Sequence, residues 1–504
     1  MPTKLNTTKL QVSGYKWLIR RLEQAFVTGD VRMITNYLTY HKNAMFAAGM
    51  AITGVLAAIA FILSMVVRQP SKGSSEIMTT QAGGMYVSFE GRLHPVTNLA
   101  SARLITGKAA NSSVVSNDLI SKFPRGPLMG ILQAPNNLDQ RLDSTALWTV
   151  CDWRDSTAEL SLVAGSGVKT TLIAGTDQVS GGTPLGSERA MLARSAADPS
   201  VLWLIFGNHK AQVGSKDFAT WSALNLTPAK VNAAATLSAG LMNAIDSYPI
   251  LTTPPIKDRG KVSRVIRNAL VGDVLVTSGA SGKQTFYLAL DDGVQLITPV
   301  LAQMLVNTGS GQIPVPDPQS VISQPQLSTV DVERFPSQVP DIINPATVCF
   351  TWSKGINDLT AQTNVLTGTA LPIRPESAEL ITTLLSPKGT IEQADASLMT
   401  PGKGWYVQTT GSDPSSLEAS QRIYIDDSGT RYAIAPGNVD NSQGITYANT
   451  ESALGLNIRK PLPIPWSIAE LYAKGSTLDP ADARTMHGAV PADPNQVYIP
   501  PKKN

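Results

Sequence analysis

The sequence predicts an α+β protein. One N-terminal transmembrane helix precedes an elongated extracytoplasmic region of four β-hairpin/helix repeats, set around a disulfide-linked central domain with pseudo-two-fold duplication. Three observations lead there: an uncharged apolar run near the start, a hairpin-then-helix pattern that recurs four times, and two cysteines at matched places in the recurrence.

The apolar run, Met45 to Val67, holds no Asp, Glu, Lys, Arg or His. At ~1.5 Å rise per residue it spans a ~30 Å hydrocarbon layer with a little to spare. His41 and Lys42 precede it and Arg68 follows. A cleaved signal peptide would have a shorter apolar core and a shorter leading segment, so a retained anchor is expected. Within it, Ala47/Ala51 and Gly54/Ala58 place small residues one turn apart, a spacing that lets a neighbouring helix approach closely.

Ahead of the anchor stand Lys4, Lys9, Lys16, Arg20, Arg21, Arg32 and Lys42, against Glu23 and Asp30. Basic residues resist translocation, which predicts a cytoplasmic N-terminus and a periplasmic bulk on an inner (plasma) membrane protein. In this arm Val12, Tyr15, Ile19, Leu22 and Phe26 recur at helical spacing, with Lys16, Arg20 and Arg21 on other faces. So short an arm builds little core alone. A protein partner or the membrane surface is therefore expected to cover the stripe, and a partner is favoured.

Both cysteines, Cys151 and Cys349, fall on the expected outer side. One disulfide in an oxidising compartment is the favoured reading, and two separate buried thiols the alternative. The formal net charge of +3, with no polybasic tract, offers no footprint for nucleic acid. Its 34 prolines and 39 glycines imply many turns and short elements.

Alternating apolar residues around turn residues predict hairpins at Tyr86–Val96 (turn Glu-Gly), Trp203–Val213 (Gly-Asn), Tyr287–Ile297 (Asp-Gly) and Arg431–Gly437. Each is followed by a short Ala- and Leu-rich helical candidate: Asn98–Ile105, Phe218–Leu226, Val300–Val306 and Thr450–Leu456. A second short helix follows in the first, second and fourth copies, whereas the third runs into a Gln- and Pro-rich stretch. Tyr86 lies 65 residues before Cys151 and Tyr287 lies 62 before Cys349, which suggests a duplicated unit with paired inserts.

The expected division is a cytoplasmic arm (1–43), the transmembrane helix (44–67), a linker (68–82) and repeat 1 (83–131). Then come the first segment of the central domain (132–200), repeat 2 (201–256), a connector (257–282) and repeat 3 (283–340). The second segment of the central domain (341–428), repeat 4 (429–482) and a Pro-rich tail (483–504) complete it.

Several of these stretches together resemble a known family. Thr8 to Glu23 (TKLQVSGYKWLIRRLE) looks like the cytoplasmic signature of EccB proteins of the type VII (ESX) secretion systems of actinobacteria. Leu93–Gly107 and Arg125–Ile131 are similar to that family's first extracytoplasmic repeat. Trp148–Cys151 and Cys349–Ser353 (CFTWS) resemble the regions around its paired cysteines, and VPADP at Val490–Pro494 extends the match. The resemblance implies a single-pass inner-membrane component that assembles with EccC (a motor ATPase), EccD, EccE and a mycosin protease. It also implies self-association through four repeats around a disulfide-bearing core.

Members of that family have been labelled ATPases, but no Walker or other catalytic motif is recognisable. Gly282-Lys283 is the sole phosphate-loop fragment; a phosphate loop needs Gly where Thr277 stands and Ser or Thr where Gln284 stands. Ser166 and Lys169 make an S-x-x-K pair without its usual partner motifs, amid glycines that disfavour a helix. His94, His209 and His487 read as solvent-facing strand and loop residues, and Asp291-Asp292 and Asp426-Asp427 as hairpin-turn residues rather than metal ligands. No catalytic residue, cofactor or metal is assigned. The expected function is a structural scaffold for protein export, energised by a partner ATPase; the alternative is a membrane-tethered periplasmic hydrolase of nucleotides or cell wall.

Overall fold

The structure is a computed structural model that describes residues 8–29, 33–67, 76–154, 168–279, 282–384, 393–436, 439–440, 445–446 and 450–488. Two compact units are distinguished, Met1–Ser74 with Ser113–Ser116, and Ser75–Ser112 with Asn117–Asn504.

In the first unit, the helix Lys9–Thr28 begins where Gln11 Oε1 accepts from the backbone N–H of Thr8 at 3.0 Å. It ends at Gly29, whose φ of +67° is the left-handed turn that glycine adopts without steric cost. A second helix, Met33–Val67, contains an apolar span at Asn43–Ile62. The helix thus starts well before the transmembrane boundary expected at 44, because Met33–Asn43 contains no Gly or Pro to stop it. None of the apolar span is buried.

The second unit carries four related repeats. In the second, third and fourth, a three-stranded antiparallel meander is followed by a helix, a return strand parallel to the first meander strand, a short helix, and a return to the edge of the third. In the second repeat the meander is Arg189–Ser195, Leu202–Phe206 and His209–Val213. Its helix is Phe218–Ala223, and its returns are Ala235–Leu237 and Asp246–Leu251. The fourth uses Trp405–Thr410, Arg422–Ile425 and Thr430–Ala433, helix Thr450–Leu454, and returns Leu462–Pro465 and Ala473–Lys474. The third uses Val274–Ser278, Gln284–Ala289 and Val294–Ile297, helix Pro299–Asn307 and return Gln312–Val315. Its second return is a single parallel bridge, Val294 to Gln326. The first has Ile77–Thr80, Met85–Phe89 and Arg92–Val96, helix Leu99–Thr106, and Leu128–Met129 parallel to the third strand.

Local chemistry explains these elements. Asn98, Asp217 and Thr298 each precede a helix and accept from the backbone N–H three residues on, satisfying a donor the helix leaves open. Glu90 (φ +49°) and Gly91 (φ +75°) turn the first hairpin, both left-handed as a tight two-residue hairpin turn requires.

Four expectations need correction. Every repeat begins at least one strand earlier than 83, 201, 283 and 429. Those opening strands are largely buried runs, such as Val274–Ser278, and they lack the alternation that marks a half-buried strand. The fourth hairpin turns at Asp426–Gly429, ahead of Arg431–Gly437, so a boundary at 429 cuts through it. The third hairpin connects through Leu290–Gly293 rather than a two-residue Asp-Gly turn. In its Gln-rich stretch the third repeat does have a second short helix, Gln319–Ile322.

Between the repeats lies a seven-stranded sheet. Its two central strands, Thr145–Trp153 and Thr347–Gly355, pair antiparallel over their whole length. Each pairs outward with the next strand of its own insert, Lys169–Ala174 and Gln362–Gly368, so the halves are related by a pseudo-two-fold. The cores follow that symmetry. Repeats 1 and 4 share one, in which Val87, Leu104 and Met129 meet Tyr424 and Leu454; repeats 2 and 3 share another, in which Leu204 and Leu224 meet Leu288 and Leu301. At Gly240 a Cβ would lie 2.7 Å from Leu471 Cδ2, so a larger residue in helix Ala239–Ala244 would have to displace that buried side chain of the fourth repeat. The tail adds helix Pro480–Ala483 and a two-residue strand, Met486–His487, against Leu128–Met129; residues 489–504, with VPADP, lie outside the described residues.

Candidate functional surfaces

Cys151 and Cys349 face each other across the two central strands and are joined by a disulfide. The bridge closes a separation of 198 residues, and both cysteines are buried. Trp148 and Trp352 also stand opposite one another. The Trp148 indole N–H donates to Pro463 O at 2.9 Å, and its ring meets Trp405 edge-on at 5.0 Å, tying the central sheet to the fourth repeat.

Beside the disulfide, Asp152 is fully buried. It accepts from Ser238 N at 2.6 Å, and from the Ser238 and Thr170 hydroxyls at 2.8 Å each. Burial raises its pKa to about 6, against the lowering effect of those hydrogen bonds and with a further push from Asp395. The network joins the central sheet to the helix start of repeat 2. Sequence reading missed it, since residues 152, 170, 238 and 395 have no local signature in common.

In the N-terminal helix every residue singled out from the sequence is exposed: Val12, Tyr15, Ile19, Arg20, Arg21, Leu22 and Phe26. Phe26 is the extreme, at 90 %. The apolar face is wider than its spacing indicated, because Trp17 and Leu18 are also exposed and Arg21 lies over the Trp17 ring at 5.3 Å. In the anchor Ala47, Ala51, Gly54 and Ala58 are all exposed, and a Cβ at Gly54 would meet nothing within 4 Å. Spacings of four, three and four residues put them on one helix face.

The residues weighed for chemistry are dispersed. Gly282-Lys283 forms the turn between strands Val274–Ser278 and Gln284–Ala289, where Gly279 N donates to Lys283 O at 3.0 Å; no helix begins there to hold a phosphate. Lys169 opens a strand and lies 5.5 Å over the Trp153 ring, while Ser166 falls outside the described residues. His94 corrects the solvent-facing expectation: it is 2 % exposed, with Nδ1 3.0 Å from Pro127 O. His209 stacks on Tyr248 at 4.1 Å and His487 Nε2 lies 2.7 Å from Gly130 O. Asp426 accepts from the backbone of Ser428 and Thr430 in its turn, and Asp291 pairs with Arg264. Among the described residues no three His, Cys, Asp or Glu converge as metal ligands would.

Motifs far apart in sequence are brought together in the first repeat. The Asn98 side chain caps helix Leu99–Thr106 and donates to Ile131 O at 2.6 Å, while Ser101 Oγ accepts from Ile131 N at 2.8 Å. Leu93–Gly107 and Arg125–Ile131 thus form one packed substructure.

Known proteins share this architecture. The family described as "Type VII secretion system ESX-1, transport TM domain B" matches residues 4–492. The chain is 33 % identical to the ESX-3 secretion system ATPase EccB3 of Mycolicibacterium smegmatis, over 98 % of this chain and 93 % of the relative. It is 30 % identical to the ESX-5 secretion system ATPase EccB5 of Mycobacterium marinum, covering 98 % and 96 %. Among solved structures, a chain of an intact ESX-5 inner membrane complex superposes with a TM-score of 0.71 at 27 % identity, covering 99 % of each chain. An EccB3 dimer from the ESX-3 core complex gives 0.69 at 31 % identity, covering 82 % of this chain and all of that one.

Proposed function

This chain belongs to the EccB family, a structural component of type VII (ESX) secretion systems, and we propose that it serves as the single-pass scaffold of such a system's inner-membrane complex. In this reading the arm stays in the cytoplasm, the helix crosses the plasma membrane, and the repeats and disulfide-bearing sheet lie outside.

The observation that carries the proposal is the contrast within one chain. An apolar span with none of its length buried and an arm helix with its stripe exposed accompany a large folded region that buries its own apolar cores. Both apolar faces call for cover from outside the chain: lipid and neighbouring helices for one, a cytoplasmic partner for the other. We assign Val12, Tyr15, Ile19, Leu22 and Phe26, flanked by Arg20 and Arg21, to that partner contact. The small-residue face at Ala47, Ala51, Gly54 and Ala58 is assigned to packing against another span. The partners proposed are EccC, EccD, EccE and a mycosin protease, with self-association through the repeats. An inner membrane complex and an EccB3 dimer among the solved relatives support this.

The relatives are named ATPases. For this chain we place the energy source in the partner ATPase, since the phosphate-loop fragment is a hairpin turn. The test is native-gel isolation of the full-length chain from membranes with mass spectrometry of what travels with it. Co-isolation of EccC and EccD, lost on deleting residues 1–43, is the expected result. A chain that migrates alone, or an association indifferent to that deletion, would overturn the scaffold reading.

A further inference from the structure

A cleft of about 770 Å³ opens between the second and fourth repeats. One wall carries Lys210 and Asp246, the other Glu418, Gln421, Trp466 and Glu470. Formal charge in the lining is unbalanced, three carboxylates to one ammonium. The single ammonium is also already engaged: Lys210 Nζ donates to Met242 O and to Ile245 O, and lies 5.4 Å over the Trp203 ring. Asp246 is the opposite case, with Oδ2 buried and no hydrogen-bond donor to it among the described residues. Such an oxygen destabilises the fold, the more so when charged, unless a donor arrives. Burial holds Asp246 up at about 6, with Asp413 adding to the rise and Lys210 opposing it. Of the other carboxylates, Glu470 acts on Arg431, whose guanidinium lies 5.1 Å over the Trp466 ring. Glu418 accepts only weakly from Ser420, at 3.3 Å.

The backbone adds a second feature. Asp246–Leu251 is the terminal strand of its sheet, paired to His209–Val213 on one side only. Asp246 and Ser247, at its start, line the cleft. An unpaired strand edge is a template for an extended chain, and Pro249 restricts that template to the cleft end of the strand.

We propose that this cleft binds a basic side chain, guanidinium or ammonium, carried on an extended polypeptide segment. The cation supplies donors to Asp246 and Glu418, and the segment's backbone runs along the edge at Asp246–Ser247. A guanidinium suits the site best, because its planar fork satisfies a carboxylate with two parallel bonds.

The test uses full-length protein in nanodiscs and calorimetric titration with acetyl-Ala-Arg-Ala-amide, its citrulline counterpart and spermidine, at neutral pH and low salt. The expected result is saturable binding of the arginine peptide and about tenfold weaker binding of the citrulline peptide, the scale of one lost charge-assisted contact. Asp246→Asn should weaken the arginine peptide about fivefold or more, and Glu418→Gln by a smaller factor, with circular dichroism unchanged. Because Glu418 is exposed, its variant keeps the test decisive should Asp246→Asn fail to fold. Equal binding of arginine and citrulline peptides, indifference to both variants, or no saturation at millimolar peptide would overturn the proposal. Spermidine binding as tightly as the peptide would overturn its polypeptide half. None of these outcomes bears on association with EccC and EccD.

Discussion

The central strands and the membrane anchor are both rich in apolar side chains, yet they solve opposite problems. In Thr145–Trp153 and Thr347–Gly355 the protein supplies its own cover: Trp148, Cys151, Phe350 and Trp352 are all essentially buried, and every strand neighbour is another stretch of the same chain. Across Asn43–Ile62 the protein buries none, and Phe46, Met50, Ile52 and Val55 are exposed. Burial of apolar area drives both, at roughly 25 cal/mol per Å². What differs is who provides the second surface. A region that covers itself reports on folding, and one that does not reports on the bilayer and on partners.

Breaking the anchor should have the largest effect. Leu56→Arg combined with Ile59→Arg places two charges mid-span, at about 3 kcal/mol each by insertion scales. The chain should then be lost from the carbonate-resistant membrane fraction, and its two cysteines, held in the reducing cytoplasm, should remain open to alkylation. Retention in that fraction would count against the span. Next comes the central sheet. Cys151→Ala with Cys349→Ala releases a long loop closure and should lower unfolding stability by about 2–5 kcal/mol in chemical denaturation. Reductant should reproduce the loss in the parent protein and leave the variant unmoved.

Smaller effects sharpen the comparison inside the folded unit. Gly240→Ala drives a methyl into Leu471 and should cost about 1–3 kcal/mol, seen as a lower Tm, with membrane integration unchanged. Asp152 gives a pH signature. Its pKa in the folded protein, about 6, stands above the ordinary 3.8, so the folded state holds the proton more tightly. Its stabilising contribution is therefore complete below 3.8 and is lost as pH rises through about 6. Asp152→Asn, uncharged throughout, should gain on the parent protein in urea midpoint as pH rises across that window. Parallel curves would show that the buried carboxylate does not titrate there.

Sequence patterns reached far where the physics is local. A long uncharged run can only be an anchor or a core helix, and its basic flank orients it. The helix caps at Asn98, Asp217 and Thr298 and the Glu90-Gly91 turn are decided by a residue and its near neighbours, so three of the four hairpins and four following helices could be read directly, and the spacing of the cysteines exposed the duplication. Tertiary structure decided the rest. The opening strand of each repeat is hidden because a strand buried on both faces carries no alternation, which displaced every repeat boundary. Which repeats share a core, the Asp152–Ser238–Thr170 network and the cleft beside Asp246 all join residues dozens to hundreds of positions apart. Such pairings depend on how finished elements pack against one another. Their free energy comes from contacts that exist only once the chain has closed, and no stretch of neighbouring residues records them.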